Sequence, residues 1–81
     1  MRPPLKVLIV AHGDDALRLY KRVGCAARAL GVELEIEEQQ SGGEVPRVFV
    51  NGSLLVEGLQ RTEAIQERLG QWLAACREAG A

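Results

Sequence analysis

The chain is poor in the residues that usually reveal chemistry. Among its 81 residues are two cysteines, one histidine and one each of Trp, Tyr and Phe. Cys25 and Cys76 lie far apart, and two thiols without a secretion signal read as free rather than as a disulfide framework. His12 has only Asp14 and Asp15 beside it and no spaced second cluster, so no metal or other cofactor is expected. An excess of one charge is also missing. Ten basic residues against eleven acidic ones give a formal net charge of −1, which calls for neither a nucleic acid nor a membrane as partner.

Nor is there a hydrophobic run of membrane-spanning length. Leu5 to Ala11 lasts seven residues and is interrupted by Lys6, and His12-Gly13-Asp14-Asp15 lacks the pattern of a signal cleavage site. A cytoplasmic protein is the expectation. The composition is 47% hydrophobic and 26% charged, which fits one small globular domain over residues 1–81, close to the lower size for an unstapled core.

What is present specifies an architecture. After a short arm, residues 1–4, Leu5-Lys6-Val7-Leu8-Ile9-Val10-Ala11 reads as a central strand ended by Gly13. Asp14 and Asp15 open a helix, where carboxylates cap free amides and oppose the positive end of the dipole. It runs to Leu30 and stops at Gly31. Ala16, Leu19, Tyr20, Val23, Ala26, Ala27 and Leu30 share one face; Arg18, Lys21, Arg22, Cys25 and Arg28 share the other. Val32-Glu33-Leu34-Glu35-Ile36-Glu37 alternates as a half-buried strand.

Gln39-Gln40-Ser41-Gly42-Gly43 is a connection, and Pro46 leads a third strand, where a missing amide is tolerated. Asn51-Gly52 between two apolar runs is the strongest short hairpin signal. It makes Ser53-Leu54-Leu55-Val56-Glu57 the antiparallel partner. Thr62 is the expected N-cap of a closing helix. Ile65, Leu69, Trp72, Leu73 and Cys76 would be buried, and residues 77–81 would fray. The order is β-α-β-β-β-α, with the first two strands parallel through a right-handed crossover.

The segment Val45-Pro46-Arg47-Val48-Phe49-Val50-Asn51-Gly52 resembles the glutaredoxin stretch in which a valine and a cis-proline lead into a strand and hairpin. Leu54 through Leu69 continue the likeness to the closing half of a thioredoxin-fold domain. The resemblance implies a minimal thioredoxin-like two-layer sandwich: a four-stranded mixed sheet in the order 2-1-3-4, both helices on one face, and Pro46 in cis.

Two departures bear on function. Members of that superfamily place Cys-x-x-Cys, or one Cys, at the start of the first helix, where the dipole and nearby groups lower the thiol pKa; here His12-Gly13-Asp14-Asp15 stands there. After Gly58 come Leu59-Gln60-Arg61 instead of the acidic residues that hold glutathione in glutaredoxins, which speaks against a glutathione site.

About nine residues separate Ile36 from Pro46, too few for the helix that covers the second sheet face in the parent fold. The strand patterns agree. Val7, Ile9, Ala11, Val32, Leu34, Ile36, Val48, Val50, Leu54 and Val56 would face the helices. Lys6, Glu33, Glu35, Glu37, Arg47 and Glu57 would face away, with Leu8, Val10, Phe49 and Leu55 among them. Those four apolar residues are the candidate interface, for a protein partner or a second copy.

A polar corner at His12, Gly13, Asp14 and Asp15, beside Val45 and Pro46, is the candidate binding site. Its plainer alternative is helix capping, with His12 in a solvated loop. Cys25, among basic residues, is the one candidate thiol, although about 16 Å of helix axis separates it from Asp14. The expected function is that of a degenerate thioredoxin/glutaredoxin-like module serving in binding or assembly. The alternative is a thiol-disulfide oxidoreductase or redox sensor acting through Cys25.

Overall fold

The computed structural model describes residues 4–43 and 45–79, with side chains to Cys76. The arm ahead of Pro4, Glu44 and the last two residues of the expected frayed tail lie outside them. The elements are β1 (Leu5–Ala11), α1 (Asp14–Leu30), β2 (Leu34–Gln40), β3 (Arg47–Val50), β4 (Ser53–Glu57) and α2 (Thr62–Ala79). The four strands form one mixed sheet in the order β2-β1-β3-β4, the order that the resemblance implies. β1 pairs in parallel with β2 and antiparallel with β3, and β3 pairs antiparallel with β4.

Both helices lie on one face. α1 packs on β1 and β2, α2 packs on β4, and the helices pack on each other. Between the layers sit Val7, Ile9 and Ala11 of β1, Val48 and Val50 of β3, Leu19, Val23 and Ala26 of α1, and Ile65 and Leu69 of α2. Alternation in the strands and 3.6-residue spacing in α1 thus meet in one apolar layer. Among the described residues no polar or charged residue is buried there.

The chain reverses where its glycines and Asn51 allow it. Gly31 ends α1 in the left-handed conformation, φ 71°, while the Val32 N–H bonds back to the Ala27 carbonyl at 3.0 Å; this is the six-to-one closure of a Schellman cap. Asn51 and Gly52 both take positive φ, 49° and 86°, the signature of the type I′ turn that matches strand twist.

Several expectations need correction. The Val45–Pro46 bond is trans, since no cis peptide occurs among the described residues. Trans is the intrinsic preference of an X–Pro bond, and Pro46 already joins the β3–β4 ladder by accepting the Gly58 N–H. Tyr20 is 46% exposed rather than buried, because it lies at the border of the apolar stripe. β2 starts two residues later and runs three further, to Gln40, because β1 offers it partners along its whole length. α2 starts at Thr62 itself, with the Ile65 N–H bonded to the Arg61 carbonyl at 3.0 Å, so Arg61 takes the cap position. Burial fades along α2 from Leu69 through half-buried Trp72 and Leu73, leaving Cys76 exposed. The helix nevertheless continues to Ala79.

β4 does not alternate strictly. Phe49 pairs with Leu54 and Val48 with Val56, so Leu55 is an extra residue in a β-bulge. A bulge resets the alternation of the strand that carries it. Leu55 therefore joins the core at 8% exposure, and Leu54, at 52%, stands on the outer face in its place.

Candidate functional site

Among the described residues no helix covers the second face of the sheet, and strand register arranges its side chains in rows. Leu8 lies opposite Phe49 across β1 and β3, Phe49 lies opposite Leu54, and Leu8 lies beside Glu37 of β2. The middle row is thus Glu37-Leu8-Phe49-Leu54, three apolar side chains side by side with a carboxylate at one end. Leu8 and Phe49 are half-buried although no described element packs over them. On one side of that row Lys6 pairs with Glu35. On the other, Val10 pairs with Gln39 and Arg47, and Arg47 with Glu57.

The Arg47 Nε lies 3.3 Å from a Glu57 carboxylate oxygen, both side chains being about half exposed. Exposed pairs of this kind contribute only about 0–1 kcal/mol. The contact therefore marks the edge of the face and adds little to the stability of the fold. Between Lys6, Leu8, Glu35, Glu37 and Phe49 the surface dips into a shallow depression of about 320 Å³. Its floor is apolar and its β2 wall is acidic. Three of the four residues expected on this face, Leu8, Val10 and Phe49, are there; the bulge exchanges Leu55 for Leu54.

The polar corner lies at the C-terminal ends of β1 and β2. Gly13 precedes α1 with φ 58°, and among the described residues no side chain caps the helix, so Asp14 and Asp15 act on the dipole without capping its amides. Asp15 lies 3.6 Å from Arg18 one turn on. His12 is exposed, and its carbonyl accepts the Asp15 N–H at 3.3 Å. Continuing the register beyond Val10 opposite Arg47 sets Pro46 beside Ala11 and Val45 beside His12. Val45 is exposed and Pro46 half-buried. Among the described residues no group of three His, Cys, Asp or Glu side chains is placed to hold a metal ion.

Two features of this region had no signal in the sequence. Ser41 bonds through its N–H to the Ala11 carbonyl at 3.0 Å, and its Oγ is buried with no partner among the described residues. Arg22, expected on the wet basic face of α1, reaches across instead. It donates to the Gln60 carbonyl at 3.1 Å and more weakly to that of Leu59 at 3.5 Å, and so ties the β4–α2 loop to α1. Cys25 is exposed on α1, with Lys21 and Arg28 one turn away on either side.

In comparison with known proteins, no family model matches the chain and no curated protein matches it. No described helix is long and apolar enough to cross a membrane.

Proposed function

We propose that the protein is a non-catalytic binding or assembly module, a degenerate member of the thioredoxin and glutaredoxin superfamily that works through the open face of its sheet. The observation that carries this reading is the row Leu8-Phe49-Leu54, with a depression beside it and, among the described residues, no element over it. An aligned apolar row of this kind gains free energy when a partner removes it from water. The strand order and the β-α-β-β-β-α sequence support the superfamily assignment; the trans bond at Pro46 removes one of its marks. The lack of a thiol at the head of α1 favours binding over redox catalysis, because dithiol exchange needs an activated thiolate there. Two exposed, unbridged thiols fit a reducing cytoplasm.

The test has two parts. An environment-sensitive apolar dye should bind the native protein at this face, and Phe49→Glu should remove that binding. Pure protein should not accelerate dithiothreitol-coupled disulfide reduction. Efficient reduction, or dye binding indifferent to Phe49→Glu, would overturn the reading. A second reading, a redox thiol at Cys25, rests on its exposure between Lys21 and Arg28. A mixed disulfide trapped at Cys25, lost in Cys25→Ser, would favour it.

A further inference from the structure

The outer face of α1 carries the chemistry that the open sheet face lacks. Leu17 is 54% exposed and Tyr20 46%, and Lys21 and Arg28 lie on the same outward side of the helix, all exposed. Neither cation has a carboxylate partner among the described residues, whereas Arg18 is held by Asp15. Across the molecule, the apolar row of the sheet ends at Glu37, which has no cation within 4.0 Å among the described residues. One side of the protein thus offers apolar surface with spare positive charge. The opposite side offers apolar surface on which Glu35 and Glu37 outnumber the one unpaired cation beside them, Lys6, among the described residues.

We propose that the occupant of the open sheet face is the outer face of α1 from a second copy of this chain, a head-to-tail contact that repeats from copy to copy. This rests on the open face being a contact surface, as argued above. Leu17 and Tyr20 lie over Leu8, Phe49 and Leu54, while Lys21 and Arg28 meet the acidic β2 wall. α1 already covers the inner face of its own sheet with its apolar stripe; the second copy's α1 covers the outer one.

Charge opposes the symmetric arrangement in which the row packs on itself. A two-fold axis along the apolar row would set every member of the row on its own mate, Glu37 on Glu37 included, and like charges in contact oppose association. The head-to-tail arrangement instead brings spare acid onto spare base. Because donor and acceptor are different surfaces on opposite sides, the contact is heterologous and leaves both ends open. At about 4.8 Å between strands and 3.3 Å per residue, the face has a flat footprint of roughly 300–400 Å². That is well under the ~800 Å² per partner of a standard interface, so the association is weak and grows with concentration.

The experiment is sedimentation velocity over a wide concentration range on four samples: wild type, Phe49→Glu, Leu17→Glu, and an equimolar mixture of the two variants. Circular dichroism confirms the fold of each, and Lys21→Glu serves as a second helix-face variant. Wild type should grow past dimer as concentration rises, and each variant alone should stay monomeric. The mixture should form heterodimers and stop there, because one intact sheet face meets one intact helix face. If Leu17→Glu and Lys21→Glu both associate as wild type does, or if the mixture stays monomeric, the inference is wrong. Monomeric wild type at every concentration also overturns it. In each case a dye signal still sensitive to Phe49→Glu leaves the open face standing as a binding surface for another partner, whereas an indifferent signal removes that reading too.

Discussion

Asn51 grips Lys6 from both sides of one peptide plane pair. Its N–H donates to the Lys6 carbonyl at 2.8 Å, and its Oδ1 accepts the Lys6 N–H at 3.1 Å. The hairpin tip is thereby tied to the start of the central strand, next to the depression on the open face. Asn51 also takes φ 49°, so it is a turn former and a clasp at once. Asn51→Ala should lose both roles and cost about 1.5–3.5 kcal/mol. Asn51→Gly, which keeps the turn, should cost roughly 0.5–1.5 kcal/mol for the lost side-chain bond. Denaturant unfolding of the two variants separates the contributions.

Arg22 should be a structural residue rather than part of a free basic surface. Arg22→Ala removes the donor to the Leu59 and Gln60 carbonyls, and the expected cost is about 1 kcal/mol for a partly exposed bond. Amide exchange should speed up around residues 58–62 with little change in the sheet. Arg28→Ala, which leaves that loop untouched, is the control.

The bulge in β4 makes two adjacent leucines behave differently. Leu55→Ala should destabilise by about 2–4 kcal/mol, as truncation in a packed core does. Leu54→Ala should stay within about 0.5 kcal/mol, as surface changes do. Thermal melts would show the contrast directly, since 1 kcal/mol shifts Tm by about 4–8 °C in a domain of this size. Equal effects at the two positions would mean that the strand alternates without a bulge.

That pair also shows where the sequence stops being informative. Alternation in β1, a 17-residue helical stripe and the Asn51-Gly52 signal specify element order and sheet order, because each depends on local spacing. Leu54 and Leu55 are chemically identical, and nothing local says which is doubled against Phe49; the choice is made when Val56 pairs with Val48. Gln39 and Gln40 lack strand character of their own and become strand because β1 lies beside them. Pro46 reads alike for either isomer. At the site, Leu8, Val10 and Phe49 were legible from alternation. The Arg22 reach to Gln60 and the buried Ser41 Oγ were not, since both depend on how α1 and the β2–β3 connection meet the rest of the fold.

Both cysteines should react in the native state. Cys25 and Cys76 are exposed, so a thiol reagent such as a maleimide should label two sites without denaturant. Mass spectrometry of peptides after a short pulse reads each separately. Protection of Cys76 until unfolding would mean that the last turns of α2 pack into the core.

The most direct test of the central claim is a dilution series followed by amide chemical shifts. If the open sheet face is the contact surface, the largest concentration-dependent shifts fall on Leu8, Phe49 and Leu54, with matching shifts at Leu17 and Tyr20 of α1. Shifts confined to His12, Asp14 and Asp15 would contradict it, and spectra that do not change with concentration would contradict the contact between copies.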